Sequence, residues 1–429
     1  MLFQRHSYRI WAPRKCLDWN VRTMAIPRGK ISHTALFDIR SLIKIFYSPL
    51  NNQDVIKDFE RKFASNLGLP YAVSFPLART AIHAVLTTKK FAPGSKIIMP
   101  PMSIKGILDV VLDLGLDPIF VDIDPVNACF DPIQLLKAVD EKPVAAIVTY
   151  LFGLTPEVDD IFSVLRKENI YIIEDISQAL NATYNGLKLG TFGDCAVYSA
   201  SAIKTLDMYG GGVLATSDEG LVTRLHQVKR NYLPPKRSII RKKIIKDLIR
   251  NIATKKIFFT LLTFPLMKLA SRVNPSAGVR FVGKRDKLPI KALPNDLFHH
   301  FSSFQAHVGI KMFDSVSGKD KTRSSIANYV ISESKLNHVS SSKKGIGVHW
   351  QNIVYVKNPE RFMRYMRKRG VDTAQSSLIL LSELPAYGWT VPTEKAKHLY
   401  ENGVYIPCYS SLSSTETEYL VKVLNAYDD

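Results

Sequence analysis

The sequence is poor in cysteine, and it lacks long apolar runs. Its 429 residues contain four cysteines: Cys16, Cys129, Cys195 and Cys408. No two of them form a CxxC pair, which excludes a zinc ribbon and a disulfide scaffold and predicts a cytosolic protein. There is no run of about 20 uncharged apolar residues, so we expect no transmembrane helix.

The N-terminus also lacks something, namely the apolar core of a secretory signal. Residues 1–23 are instead rich in arginine, which leaves a transit peptide open as an interpretation, and Met24 is an alternative start. Hydrophobic residues make up 46% of the chain and charged residues 22%, a balance that excludes global disorder and allows an ordinary folded core.

Acidic residues are scarce in one segment of the chain. Overall, 58 Lys and Arg stand against 38 Asp and Glu, a net charge of +20. Residues 235–291 hold 16 basic and two acidic residues, a net of +14, so the other 372 residues carry only +6. We call residues 235–291 the basic insert. Its charge indicates a contact with an anionic surface or an acidic ligand.

The basic insert combines this charge with apolar residues. Isoleucine and leucine recur in four-residue steps from Ile240 to Ile252, and an apolar run follows from Ile257 to Leu269. A basic amphipathic helix followed by an apolar patch is typical of a membrane-surface element, so residues 238–270 predict a peripheral membrane contact. A helical lid packed on its own domain remains open as the alternative. No nucleic-acid partner is expected, because aromatic residues do not interleave with the basic ones.

Strands and helices alternate about every 15 residues through the first half of the chain. This rhythm predicts βαβ units, a mostly parallel sheet with helices on both faces, and ligands at the carboxyl ends of the strands. Later, residues 297–313 and 320–336 are predicted to be two helices, and short strands begin near Gly347. The chain is therefore divided into four predicted parts: an N-terminal extension and lead-in (1–50), a cofactor-binding large domain (51–234), the basic insert (235–291) and a smaller C-terminal α+β domain (292–429).

Two motifs bring a buried carboxylate and a lysine into this pattern. The segment IYIIEDISQAL places Glu174 and Asp175 at the end of a predicted strand, with Gln178 three residues on. In YSASAIKTLDMYGGGVLAT, Ser199 precedes Lys204 by five residues. A carboxylate that pairs with a pyridinium nitrogen and a lysine that makes a Schiff base are what pyridoxal phosphate requires.

A third motif supplies a place for the phosphate of that cofactor. The segment SFPLARTAIHAVL is a predicted strand, turn and helix. The N–H groups near Ala78, Arg79 and Thr80 then point at an anion from the helix N-terminus. Ser199 adds a hydroxyl donor. We predict a pyridoxal-phosphate site, and no metal ligands.

These motifs resemble the DegT/DnrJ/StrS family of sugar aminotransferases, which have the aspartate-aminotransferase fold. The resemblance runs from about Asp54 to the C-terminus and is carried by FERKFASNLG, PIFVDIDP, EDISQA, the SxSxxKxL stretch, GGGVLAT and YIPCYSSLSSTETEYLVKVL. It implies an α/β protein of the type I fold of pyridoxal-phosphate-dependent transferases, with a large and a small domain.

Carried over by motif, the resemblance also assigns roles to individual residues. It makes Lys204 the Schiff-base lysine and places Asp175 at the pyridine nitrogen and Gln178 beside the cofactor ring. It places Ser199 on the phosphate, together with Ala78 and Arg79 in the family's Gly-Thr turn.

The sequence departs from the family pattern at three places. The usual ring-stacking aromatic residue corresponds to Ile104. The family's Gly-Glu-Gly-Gly reads Tyr209-Gly210-Gly211-Gly212, so its glutamate is missing. The family's Asn-x-Arg, whose asparagine reaches the partner subunit's cofactor phosphate, falls on residues 298–300, where His299 and His300 are candidate substitutes.

The function implied by the resemblance is transfer of an amino group, from glutamate, to a keto-sugar linked to a nucleotide or a lipid in glycan biosynthesis. The implied assembly is a cytoplasmic homodimer, with the membrane contact of the basic insert as an addition. Two alternatives stay open. A sugar dehydratase of the same family would carry histidine where this chain has Lys204. A degenerate relative acting as a scaffold or regulator would fit the lost aromatic residue and glutamate.

Overall fold

We analysed a computed structural model, which describes residues 24–273, 292–384 and 387–428. The predicted extension 1–23 and residues 274–291 of the basic insert lie outside the described residues. The helices are α1 Ala35–Lys44, α2 Gln53–Leu67, α3 Ala78–Lys89, α4 Lys105–Asp113, α5 Pro132–Ala138, α6 Val158–Lys167, α7 Glu219–Lys229, α8 Arg237–Ala253, α9 Lys256–Phe258, α10 Phe264–Val273, α11 Ser303–Glu333, α12 Pro359–Lys368, α13 Glu394–Asn402 and α14 Ser414–Asn425. The strands are β1 Tyr71–Phe75, β2 Lys96–Met99, β3 Met102–Ser103, β4 Asp117–Phe120, β5 Ala145–Thr149, β6 Tyr171–Asp175, β7 Thr183–Tyr184, β8 Leu187–Lys188, β9 Cys195–Ser199, β10 Gly212–Thr216, β11 Gly345–Ile346, β12 Asn352–Tyr355, β13 Ala374–Gln375, β14 Ile379–Leu380 and β15 Gly403–Ile406.

Seven strands form the central sheet in the order β1-β10-β9-β6-β5-β2-β4. Every neighbouring pair from β9 to β4 is parallel, and β10 runs antiparallel to both of its neighbours. The predicted mostly parallel sheet is therefore confirmed. Because β6 and β9 are parallel neighbours, with Asp175 opposite Val197, their carboxyl ends meet at one edge.

The sheet is covered on both faces, as its sequence pattern predicted. Along β5, Ala146 and Val148 pack into one apolar cluster, which also holds side chains of α2, α5, α6 and α11. The alternate residues Ala145 and Ile147 pack into a second cluster with α3, α4 and α7. Side chains that alternate across a strand thus bury the apolar faces of two helix layers.

Local signals define where helices begin and end. The Asn52 side chain accepts hydrogen bonds from the first N–H groups of α2 and caps it. The helix ends at Gly68, whose φ of 78° lies in the left-handed region that glycine tolerates. The sequence predicted both the amphipathic stripe of α2 and this stop.

One prediction of the secondary structure is wrong. Residues 297–313 and 320–336 do not form two helices, because α11 is one continuous helix of 31 residues. The polar stretch around Gly318 suggested a break, but no atom lies within 4 Å of where a Cβ of Gly318 would stand. A glycine on an open helix face weakens a helix without ending it.

The C-terminal region is built on α11 and a three-stranded sheet, β12-β15-β13. The first half of α11 packs in the same cluster as the central sheet through residues such as Phe304 and Phe313. Its second half contributes Ile326 and Val330 to a separate cluster with β12, β15, α12 and α14. The helix α11 therefore connects the two cores rigidly, and the four-part division of the chain stays a prediction.

The described part of the basic insert is helical and packs on the body of the protein with one side. Helix α8 lies against α1 and buries Ile240 and Ile244 in the main core. Farther along, Phe259 and Phe264 are 2% and 4% exposed and form a small cluster with Ala25. Among the described residues, we find no helix with the length and hydrophobicity needed to cross a membrane.

Candidate active site

Two acidic residues end strand β6, and they serve different purposes. Side chains alternate across a strand, so Glu174 and Asp175 point to opposite faces of the sheet. The Glu174 carboxylate is fully buried and accepts hydrogen bonds from the Tyr150 hydroxyl at 2.5 Å and from three N–H groups of residues 190–193 at 2.6–2.8 Å. Glu174 therefore holds the fold, and Asp175 is the carboxylate that faces the site.

Asp175 is buried beside a cationic neighbour. The N–H of Ser177 donates to Asp175 Oδ1 at 2.9 Å. Burial raises the pKa of Asp175, and the bonds from Ser177 together with the positive charge of Lys204 oppose that rise. The strand ends thus bring Asp175 and Lys204 into electrostatic contact, as the sequence predicted for a shared site.

Lys204 follows β9 on a tight turn. Ile203 has a φ of 69°, in the left-handed region that β-branched residues avoid, so this turn stores backbone strain. The Ile203 carbonyl accepts a hydrogen bond from the indole N–H of Trp350 at 2.8 Å. The ammonium nitrogen of Lys204 lies 3.8 Å from the centre of the Trp350 ring, within cation–π range.

The surroundings of Lys204 change its protonation. Burial lowers the pKa of Lys204 to about 8, although attraction to the Asp175 carboxylate opposes this shift. A lysine in this state carries a substantial neutral fraction near neutral pH. The neutral amine is the nucleophile and the base that Schiff-base chemistry needs.

Ser199 is tied to the same strand ends. Its N–H donates to the Ser177 hydroxyl oxygen at 3.0 Å, and its own Oγ lies 3.1 Å from Ser201 Oγ. A continuous set of hydrogen bonds therefore runs from Asp175 through Ser177 to Ser199. Ser199 is half-buried, and its hydroxyl stands at the carboxyl end of β9.

Gln178 supports the turn that follows β5. Its Oε1 accepts a hydrogen bond from the Phe152 N–H at 2.7 Å, and Phe152 has a φ of 60°. At Gly153 a Cβ would lie 2.7 Å from both the Gln178 carbonyl oxygen and the Trp350 nitrogen. Only glycine allows this close approach, which seats the segment carrying Trp350 beside Lys204.

The predicted phosphate turn begins helix α3. The first N–H groups of a helix have no partner within it, and those of Ala78 and Arg79 belong to this set. The Thr80 hydroxyl is buried and donates to the Leu77 carbonyl at 2.7 Å, so this side chain caps the helix and does not face the site. Gly212 in β10 pairs with Ser199 in β9. A Cβ at Gly212 would lie 2.4 Å from the Ala78 nitrogen, so the lack of a side chain allows β10 to pack against the start of α3.

Ile104 lies at the start of helix α4 and is 51% exposed. The Arg79 side chain lies against the same turn, since a Cβ at Gly106 would be 2.7 Å from its Nη1. An exposed aliphatic side chain offers no aromatic face to a cofactor ring. Trp350 is the aromatic side chain that the structure brings to Lys204.

The segment that replaces the family's Asn-x-Arg pairs within its own chain. The Leu233 N–H donates to the Phe298 carbonyl at 2.9 Å, and the His300 N–H donates to the Leu233 carbonyl at 2.8 Å. His299 Nδ1 lies 3.0 Å from the His300 carbonyl oxygen. Burial lowers the pKa values of both histidines.

The space left by the missing glutamate is filled from the basic insert. A Cβ at Gly210, the position that carries glutamate in the family, would lie 2.2 Å from the Nζ of Lys243 on α8. Sequence reasoning missed both Lys243 and Trp350, because each reaches the site from a distant segment. A signal for Lys243 was present, namely a glycine in the place of a large residue next to an insert rich in lysine.

The structure has the α/β fold of sugar aminotransferases whose structures have been solved. The sugar aminotransferase CalS13 from Micromonospora echinospora superposes with a TM-score of 0.70 at 18% identity, over 94% of this chain and 99% of that one. Residues 48–238 match the model of the DegT/DnrJ/EryC1/StrS aminotransferase family. Through this region the chain is similar to that family.

Curated relatives match less than half of this chain. GDP-perosamine synthase from Caulobacter vibrioides is 30% identical over 182 residues, 42% of this chain and 49% of that protein. A dTDP-3-amino-3,6-dideoxy-alpha-D-galactopyranose transaminase from Aneurinibacillus thermoaerophilus is 31% identical over 178 residues, 41% of this chain and 49% of that protein. The chain thus matches about half the length of these relatives.

The shifted pKa of Lys204 gives a test of the site. We expect the rate at which the apoprotein combines with pyridoxal phosphate to rise with pH around a midpoint near 8, because the lowered pKa makes the neutral amine available above that pH. An ordinary lysine would give a midpoint near pH 10.4. Stopped-flow absorbance across the pH range measures it, with Lys204→Met as the blank. A midpoint near 10 would contradict the buried, electrostatically coupled position.

Proposed function

We propose that the protein is a pyridoxal-phosphate-dependent aminotransferase that moves an amino group from glutamate to a keto-sugar, linked to a nucleotide or a lipid, in glycan biosynthesis. One observation carries the proposal: Lys204, with its lowered pKa, and the buried Asp175 face each other at adjoining strand ends. Scaffolding does not require a desolvated lysine opposite a carboxylate, and a dehydratase of this family would have histidine at 204.

The residues present fit pyridoxal phosphate. Lys204 offers the amine, and Asp175 offers a carboxylate that Ser177 holds in place. The N-terminal amides of α3 and the Ser199 hydroxyl offer donors for the phosphate, and Gly212 leaves the backbone open beside them. The cofactor would supply an electron sink that stabilises the carbanion formed when the substrate loses a proton.

The chain's own groups then have defined tasks. The Lys204 amine would hold the cofactor and, when free, would act as the base that moves a proton between two carbons of the substrate. A pKa of about 8 suits both directions, because the amine gains and loses a proton at similar cost near neutral pH. The charge of Lys204 and the bonds from Ser177 favour the ionised form of Asp175 and oppose the rise in its pKa that burial causes; ionised Asp175 would hold a proton on the ring nitrogen.

The names of the matched relatives support the acceptor class. Two of them are a GDP-perosamine synthase and a transaminase for a dTDP-linked amino sugar. Both names describe amino sugars carried on nucleotides. Because the match covers about half of each relative, the acceptor of this protein remains part of the proposal.

Two substitutions test the proposal. We expect Lys204→Ala to abolish transfer from glutamate to a nucleotide-linked keto-sugar together with the visible absorbance of bound cofactor, while the fold persists. We expect Asp175→Asn to keep the cofactor but lower the single-turnover rate by about 100-fold, because a pre-organised charge is lost. Circular dichroism checks the fold of both variants. Undiminished turnover in the Asp175→Asn variant would refute the role of this carboxylate.

We also propose that the protein is a homodimer. The family resemblance supports this assembly, and so does an apolar face of α1 that the single chain leaves exposed, formed by Leu36, Ile39 and Ile43. The three residues recur at helical spacing and continue into the exposed Phe46 and Tyr47. We take a second copy of the chain as the occupant of this face.

Light scattering tests the dimer. The predicted mass is twice the 48.3 kDa of one chain at micromolar concentration, and Ile43→Arg is expected to reduce it toward the single mass. A wild-type mass of one chain would contradict the dimer.

The basic insert is proposed to bind an anionic membrane surface. The structure divides its apolar side chains between two environments. Ile240, Ile244 and Phe259 are buried, as a lid would require. The side chains on the other side are 56–74% exposed, and these are Ile257, Leu261, Leu262, Leu266 and Leu269. Exposed apolar residues within a segment of net charge +14 fit an anionic lipid surface, which combines burial with charge attraction.

Vesicle sedimentation tests this contact. We expect the protein to sediment with anionic but not neutral vesicles, less so at high salt, and the double variant Leu261→Gln, Leu266→Gln to lose most of this binding because less apolar area is buried. Ile346→Gln is the control, since it removes an equally exposed apolar side chain elsewhere. Failure of the wild-type protein to bind either vesicle would leave the insert as a lid.

A further inference from the structure

Lys243 is a cation that the basic insert places inside the body of the protein. It lies on the side of α8 that faces the core, one residue before the buried Ile244. Its Nζ occupies the space beside Gly210, 2.2 Å from where a Cβ would stand. A larger residue at position 210 would displace the Lys243 amine from this space. Its placement therefore depends on the glycine that this chain has in place of the family's glutamate.

The position beside Gly210 lies next to the predicted phosphate cradle. The Gly210 N–H donates to the Ala200 carbonyl at 3.0 Å, directly after Ser199. Two residues on, Gly212 touches the backbone of Leu77 and Ala78 at the start of α3. Lys243 and the start of α3 therefore contact the same glycine segment at positions two residues apart.

A second cation stands at the same place. Arg79 on the first turn of α3 lowers the pKa of Lys243 by repulsion, in addition to the larger effect of burial, while Asp207 and Asp247 raise it by attraction. Within residues 24–273, 292–384 and 387–428, neither Arg79 nor Lys243 forms an ion pair within 4.0 Å. Two partly buried cations that repel each other are stabilised when an anion lies between them.

We propose that Lys243, reaching in from the basic insert of the same subunit, binds a phosphate group together with Arg79 in the active site. This inference rests on the proposed function, which it deepens. Two ligands carry the required chemistry: the phosphate monoester of the cofactor and the diphosphate of a nucleotide-linked sugar. Because Gly210 bonds to the residue after Ser199 and Gly212 packs on the start of α3, the cofactor phosphate is the source to which we assign it.

The role proposed for Lys243 differs from that of the asparagine in the family pattern. There, an asparagine of the partner subunit reaches the cofactor phosphate, whereas Phe298 stands at that place here. A cation supplied within the subunit makes phosphate binding independent of the partner. The insert is thereby a functional part of the active site as well as a surface element.

The test compares pyridoxal phosphate with pyridoxal, which lacks the phosphate. In the full-length protein, Lys243→Met is expected to weaken binding of pyridoxal phosphate roughly tenfold and to leave binding of pyridoxal unchanged. Lys242→Met is the matched control, because it removes the same charge from an exposed position on the same helix. Lys243→Arg is expected to recover most of the affinity. Absorbance titration gives all these dissociation constants.

Two further measurements distinguish the cofactor phosphate from the acceptor diphosphate, and failure of this proposal from failure of the proposed function. Inhibition by UDP is measured with the holoenzyme of each variant, and weakening in this arm alone would assign Lys243 to the acceptor diphosphate and overturn the cofactor assignment. Equal losses for pyridoxal and pyridoxal phosphate would show a merely structural lysine and overturn the proposal. If the wild-type protein binds no pyridoxal phosphate, the proposed function fails instead, and thermal stabilisation by inorganic phosphate, lost in Lys243→Met, still reports on the phosphate site.

Discussion

The desolvated Lys204 opposite Asp175 is the interaction on which the site depends. A charged lysine and a charged aspartate are costly to bury singly, and each limits the pKa shift that burial imposes on the other. The pair exists because β6 and β9 are parallel neighbours whose carboxyl ends meet. The strained turn at Ile203 and the packing of Trp350 then fix the direction of the lysine. The order and direction of these strands thus place the two side chains near each other.

The sequence predicted those parts of the fold that depend on local pattern. The alternation of strands and helices and the end of α2 at Gly68 follow from periodicity and local signals, and the motifs placed Asp175 and Lys204 in one candidate site, which stays a prediction. It could not predict Trp350 or Lys243, because each reaches the site through contacts between distant segments. It also divided α11, which is one helix that tolerates Gly318. Sequence patterns report on residues that are neighbours along the chain, whereas Trp350 and Lys243 are neighbours of the site only in space.

The basic insert shows how two readings of one segment can both describe real features. Its apolar residues at the core-facing positions of α8 bury themselves like a lid, and its later apolar residues stay exposed. The proposed membrane contact would use the exposed set together with the positive charge that flanks it. Lys243 connects the insert to the candidate site, because its amine lies beside Gly210. The lost family glutamate and the presence of the insert are therefore explained together.

The central claim is that Lys204, opposite Asp175, is the lysine that holds the cofactor. The most direct measurement is to add pyridoxal phosphate to the purified protein, reduce with borohydride and locate the modified residue by peptide mass spectrometry. The account predicts one principal modified lysine, Lys204, and a loss of that modification when pyridoxal phosphate is omitted. Modification spread over exposed lysines, or concentrated on Lys243 in place of Lys204, would contradict it.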